Sequence, residues 1–153
     1  MSKKNRVRRV GIPVRWDLNL KKTLGGERFM KILAGVVVKD IKSGLTTGRD
    51  INGRSFKKLK SSTVRQKKKR GQTGKPLIAT GMMKKLPPVT AKQGKAIISV
   101  AKQRDDIAVY HSTGSGDLPK RDWFGVSKKA ERKLDRAVKQ KARGFMKQGH
   151  SYR

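Results

Sequence analysis

A net charge of +31 on 153 residues, from 41 Lys plus Arg against 10 Asp plus Glu, restricts this chain more than any other feature. A folded protein of 17.1 kDa exposes on the order of 7,800 Å². Spread evenly, the net charge would place one positive charge on every ~250 Å², about 16 Å apart. That spacing exceeds the cellular Debye length of about 8 Å, so even spreading would be tolerable. The charges are clustered instead. Lys3, Lys4, Arg6, Arg8 and Arg9 form one group, and Arg65, Lys67, Lys68, Lys69 and Arg70 a second. Lys128, Lys129, Arg132, Lys133, Arg136, Lys139, Lys141 and Arg143 form a third. Each group repels itself unless an anion lies against it, so an anionic partner is expected. Only 34% of residues are hydrophobic and 5% aromatic, which supports one modest core. The expected organisation is a basic arm over residues 1–15, broken by Gly11 and Pro13, one domain over 16–147, and a short tail over 148–153.

The absence of cysteine excludes disulfides and thiolate metal sites and suits cytosolic chemistry. No apolar segment follows the basic N-terminal residues, so no secretory signal is expected. The longest apolar stretch, residues 32–38, is interrupted by Gly35 and is too short to span a bilayer, so no membrane partner is expected.

From Glu27 onward, Phe29, Ile32, Leu33, Val36, Val37 and Ile41 recur at helical spacing, with Gly44 as the expected stop. A loop is expected over 46–54. Ser61 or Ser62 is placed to cap a short basic helix running to about Arg70, and Thr80 to cap a turn starting at Gly81. Residues 89–92 and 96–101 flank Gln93-Gly94 as a hairpin, and Ile107, Val109 and His111 alternate as a third strand. Ser127 is a good N-cap for a last helix whose stripe is Ala130, Leu134, Ala137, Val138 and Lys141, ending near Gly144. The pattern predicts an α+β fold. A small antiparallel sheet of three to four strands would be covered on one face by an N-terminal and a C-terminal amphipathic helix.

Catalysis finds little support. Asp105-Asp106 is the one acidic pair, and neighbours in a strand or turn point apart, so a polar turn is the better reading. His111 and His150 stand in no metal-ligand spacing. The segment from Gly71 to Lys75 has glycines and a lysine but lacks P-loop spacing and a preceding apolar strand. No enzyme and no cofactor is expected. Phosphate contact needs only surface Lys and Arg, so non-specific nucleic-acid binding is the alternative function, as in a ribosome- or nucleoid-associated protein. Helix-turn-helix, zinc-finger and RNP signatures are absent from the sequence, and the few aromatics are scattered, so sequence-specific readout is not expected.

Four segments in order carry a family resemblance. Gly53, Phe56 and Leu59 precede Thr63 and a basic run; Leu77 precedes Thr80-Gly81-Met82. Tyr110 and His111 precede Gly114; and Pro119-Lys-Arg121 leads through Trp123 and Phe124 to the last helix. In this order they resemble the virion morphogenesis family of tailed phages, which includes Mu-like tail-completion proteins. Met82 stands where the family usually has leucine, and the tyrosine-to-histidine spacing is compressed. The resemblance spans about residues 29–145 and does not require the high charge.

Each motif also has a purely structural reading. Gly53 and Gly81 permit tight turns, while Phe56, Leu59, Trp123 and Phe124 suit core positions that clamp loops onto helices. Arg121 suits a buried or interface pair, because a guanidinium bonds several carbonyls or a carboxylate at once. The family resemblance implies a structural protein of the virion neck, assembled in the host cytoplasm. It implies a ring of copies and contacts to head–tail connector and tail-terminator proteins, and such a ring needs a heterologous interface with closed rotation. The N-terminal arm and the cluster from Arg65 to Arg70 would then face packaged DNA or an acidic neighbour.

Overall fold

Helix α1 spans Glu27–Thr47 and buries Met30, Leu33, Ala34, Val37, Ile41 and Leu45, one stripe at three- and four-residue steps. Each large side chain removed from water on that stripe contributes about 1.5–3 kcal/mol. This computed structural model describes residues 25–101, 105–114 and 116–149. The clusters at Lys3–Arg9, the rest of the N-terminal arm, and residues 150–153 lie outside them. The remaining elements are helix α2 (Ser61–Lys69), a 3-10 turn (Met82–Lys84), strands β1 (Thr90–Lys92) and β2 (Lys95–Ile97), helix α3 (Asp105–Thr113) and helix α4 (Lys128–Gly149). The fold is α+β, and α1 is its centre, touched by α4 and by both strands.

Gly44 does not stop α1. The helix continues to Thr47 and is capped by Gly48 at φ +73°, whose N–H bonds the Gly44 carbonyl. That carbonyl also accepts from Arg49 N at 2.9 Å. The expected loop over 46–54 is correspondingly shorter.

The hairpin forms at Gln93-Gly94. Ala91 pairs with Ala96 and Lys92 with Lys95, and Gly94 takes φ +71°. The two alanines are the buried residues of their strands. Their small side chains let the hairpin backbone lie close on α1, and Gly94 N donates to Gly25 O at 2.7 Å just ahead of the helix. Strand β2 is shorter than residues 96–101, although Ile98 and Val100 still pack into the core.

The expected third strand is a helix. Residues 107–111 belong to α3, where Thr113 Oγ1 donates back to Val109 O at 2.8 Å. Only Ala108 is fully buried there, while Ile107 and Tyr110 are exposed. Five residues of alternation cannot separate a strand from two turns of a weakly amphipathic helix. The sheet among the described residues therefore has two strands, not three or four, and Asp105-Asp106 opens a helix rather than a turn before a strand.

Helix caps divide in the same way. Ser127 Oγ accepts from Ala130 N at 3.1 Å, as a good N-cap should. Helix α2 has Lys60 as its N-cap with no side-chain bond, so neither Ser61 nor Ser62 caps it. Gly81 enters the 3-10 turn at φ +76°, with no bond from Thr80. Helix α4 runs past Gly144 to Gly149. Ala130 and Leu134 are buried on its stripe, with Ala137 and Val138 half-buried against the core. Lys141 keeps its place on that stripe by holding its ammonium 5.8 Å from the Phe29 ring centre and 5.0 Å from that of Phe145. No helix among the described residues is long and apolar enough to cross a membrane.

Candidate functional site

The chain after α1 is built as a frame. Asp50 Oδ1 accepts from Asn52 N at 2.9 Å and Arg54 N at 2.7 Å, while Gly53 N donates to Asp50 O at 3.0 Å. This turn needs Gly53 at φ +82°, which is what the motif glycine supplies. Arg49 then bridges Ser55, Phe56 N donates to Gly48 O at 2.8 Å, and Ile51 N donates to Asp122 O at 2.9 Å. Phe56 is driven into the core beneath the turn.

The frame delivers the chain to a cleft of about 570 Å³. Leu59 and Lys60 form one wall with Thr63 and Lys67, which lie one turn apart on α2. Leu77, Ile78, Thr80 and Met82 form a second wall, and Ile107 and His111 of α3 with residues 116–121 close the third. Eight motif residues, Leu59, Thr63, Leu77, Thr80, Met82, His111, Pro119 and Arg121, thus meet at one surface from all four segments.

Arg121 sits at its base, 3% exposed. Its Nη2 donates to Lys57 O at 3.2 Å and its Nη1 to Pro119 O at 3.4 Å; Nη1 is also 3.3 Å from His111 Nδ1. A guanidinium only donates, so Nδ1 accepts and a neutral His111 carries its proton on Nε2. Arg121 N also donates to His111 O at 2.7 Å. The bonds from the guanidinium are long, and Nε has no partner. Among the described residues no carboxylate lies within ion-pair distance of Arg121. Burial lowers the guanidinium's pKa, and burial together with the Arg121 charge holds the His111 imidazole below its ordinary 6.5.

Lys67 also turns inward. Its ammonium donates to Lys75 O at 2.6 Å and to Ile78 O at 2.7 Å, bracketing Leu77. Leu77 is held at φ +60°, the one non-glycine residue with positive φ among those described. A branched residue there carries roughly 1–2 kcal/mol of strain. Lys75 Nζ ties the same loop to Thr46 O at 3.2 Å, at the end of α1. Burial, and then the charge of Arg121, lower the Lys67 pKa.

The structure divides the predicted residues. Lys67 leaves its cluster for the cleft, whereas Arg65, Lys68, Lys69 and Arg70 stay exposed. Trp123 is 2% exposed with its Nε1 unpartnered, packed edge-on to the half-buried Phe124 at 5.2 Å. Gly81 and Gly114 hold positive φ at turns. Tyr110 is 48% exposed on α3 and packs into neither cleft nor core.

Sequence reasoning places His111 in a motif but on a strand rather than on the cleft, and it misses Asp117 as a cleft residue and Lys67 as a clamp. The available signal was Thr63 and Lys67 at positions i and i+4 of one helix. Asp117 lines the cleft without a hydrogen bond or ion pair to His111 or Arg121. Among the described residues no three His, Cys, Asp or Glu side chains come together as a metal site. The chemistry on offer is a fixed positive charge at the base of apolar walls. No family model matches this chain, and neither the curated proteins nor the solved structures include a significantly similar one.

Proposed function

We propose that this chain is a structural protein of a tailed-phage neck, completing the head–tail interface as a ring subunit. The observation that carries this reading is the meeting of motif residues from the ordered segments around one cleft. Glycines at 53, 81 and 114 make the turns, Phe56 and Trp123 anchor the frame, and Arg121 joins three stretches of chain. Residues that do this are spaced for building a rigid subunit. In the neck, such a subunit would meet copies of itself, connector and tail-terminator proteins, and the end of packaged DNA.

Antibody-gold labelling of this chain on particles from a producing culture tests the assignment. Label at one point between head and tail is the expected result; label on ribosomes or the nucleoid, with particles bare, rejects it. A mutational test of the basic contact uses Arg65, Lys68, Lys69 and Arg70 changed together to Gln, leaving Lys67 in place. Head–tail joining should weaken while the fold persists.

One observation favours the alternative, a non-specific nucleic-acid-binding protein. Lys128, Lys129, Arg132, Lys133, Arg136 and Lys139 are all exposed on α4. Among the described residues, the one ion pair they form is Lys139 with Asp135 at 2.8 Å. A solvated stripe of this kind suits a phosphate backbone and needs no base contact. The labelling experiment separates the two.

A further inference from the structure

We infer that the cleft between α2, α3 and the Leu77 loop is a docking site for a partner peptide that presents a carboxylate between apolar side chains. The inference goes beyond the neck assignment and does not depend on it. Arg121 lies at the base of the cleft, 3% exposed, with Nε unpartnered and no carboxylate within ion-pair distance among the described residues. A buried cation without a counter-charge is costly, and an incoming carboxylate removes that cost. Lys57, Lys58, Lys60 and Lys67 add positive charge around the cleft, against Asp117 as the one carboxylate on its described lining. The field inside favours an anion.

The walls select which anion. Leu59, Leu77, Ile78, Met82, Ile107 and Leu118 supply apolar surface, and the one aromatic ring on the described lining is the His111 imidazole, engaged through Nδ1 by Arg121. A volume of about 570 Å³ falls within the ~300–1,000 Å³ of built ligand sites, which suits a few side chains rather than a run of phosphates. Methionine in the wall adapts to irregular apolar shapes. The strained Leu77 and the Lys67 clamp hold one wall in a single conformation, as sites that bind without rearrangement require. The exposed Arg65, Lys68, Lys69 and Arg70 of the α2 segment and Lys128, Lys129, Arg132, Lys133, Arg136 and Lys139 of α4 line no such walls. The acidic–apolar peptide is therefore assigned to the cleft and not to those solvated faces.

The test uses the full chain, labelled at Ile, Leu and Met methyls, at about 0.15 M salt, where long-range attraction is largely screened. Two capped peptides serve as probes, leucine–glutamate–leucine and leucine–glutamine–leucine flanked by glycines. The glutamate peptide should shift the methyls of Leu77, Ile78, Met82 and Ile107 and bind at least about tenfold tighter than the glutamine peptide. Arg121→Met should remove that preference. Because Arg121 also ties loops together, Leu118→Glu provides the independent variant. Leu118 is 42% exposed on the cleft wall, so this change leaves the fold intact and should weaken the glutamate peptide by at least tenfold. Equal binding of the two peptides, or shifts confined to α4 with the cleft methyls unmoved, overturns the inference. Displacement of the peptide from the cleft by a short DNA duplex overturns it in favour of phosphate.

Discussion

Replacing Lys67 by Met removes an ammonium and keeps most of the stem, so it isolates the clamp on the Leu77 loop. Two charge-assisted bonds disappear, at 2.6 Å to Lys75 O and 2.7 Å to Ile78 O. Hydrogen bonds to a charged group contribute about 1.5–3 kcal/mol each at the high end. The carbonyl of Lys75 is in an exposed setting, where water replaces the lysine at little cost. The bond to Ile78 O is part-buried, and the weak 3.3 Å donation from Thr73 Oγ1 is what remains there. The lost ammonium also relieves repulsion with Arg121 and its own desolvation. Taken together, one bond's worth of stability should go, about 1.5 kcal/mol. For a domain of this size the corresponding fall in Tm is roughly 4–8 °C.

The control is Lys68→Met, which removes the same charge from the same helix at an exposed position and should change stability by about 0.5 kcal/mol or less. Urea unfolding followed by circular dichroism at both positions gives the comparison. Released from the clamp, Leu77 should leave its positive φ, which amide exchange at Leu77 and Ile78 detects as a loss of protection. Equal stability of the two variants, or unchanged exchange in the Lys67 variant, refutes the clamp.

Gly114→Ala should destabilise by about 2–4 kcal/mol, since it combines αL strain with overpacking. Its Cβ would lie 3.0 Å from Lys120 N at φ +75°. Gly116→Ala, at φ +58° in open space, should cost only the strain, about 1–2 kcal/mol; thermal denaturation of the pair checks the difference. Trp123→Phe should cost about 1 kcal/mol, because it also removes a buried, unpartnered N–H, against about 3–5 kcal/mol for Trp123→Ala, read by urea midpoints. The His111 pKa is lower in the folded state than its ordinary 6.5. The unfolded chain therefore takes up the proton first, and stability present above 6.5 is lost as pH falls from there toward the folded value. Urea midpoints at neutral and mildly acidic pH should show a shallower dependence for His111→Gln. Changing Arg65, Lys68, Lys69 and Arg70 to Gln should flatten the log–log salt slope of DNA binding by up to about 3–4 units if all four neutralise phosphates.

Helices α1 and α4 and the Gln93-Gly94 hairpin were readable because each has either long periodicity or an unambiguous turn signal. Six buried residues recur along α1 at three- and four-residue spacing, a pattern that five alternating residues at 107–111 cannot match. The end of α1 was misplaced because a glycine inside a helix and a glycine capping one look alike in sequence. Gly48 takes the left-handed cap and Gly44 stays helical. The motif residues were recognisable by their order, but their convergence was not. It depends on contacts across long separations, such as Arg121 Nη2 to Lys57 O, and on a positive φ at Leu77 that no propensity suggests. Arg121 was readable as a residue that bonds several carbonyls at once, whereas the lack of a carboxylate beside it among the described residues was not.

The same limit applies to the basic residues, which composition treats as one population. The structure sorts them into two. Lys67, Lys75, Lys141 and Arg121 direct their charge at carbonyls or aromatic rings; Arg65, Lys68, Lys69 and the outer face of α4 remain solvated. Periodicity held part of the answer, since Lys67 is four residues from Thr63 and Lys141 falls on the stripe of Ala130, Leu134 and Ala137. Lys141 lies on an apolar stripe and lays its ammonium against two rings, whereas Lys67, on a helix with no buried residue, reaches two carbonyls of the Leu77 loop. A large net charge therefore overstates what the surface offers to DNA. It also means that a scan neutralising whole clusters would lower stability and binding together at Lys67, whereas the solvated neighbours on the same helix report on binding alone.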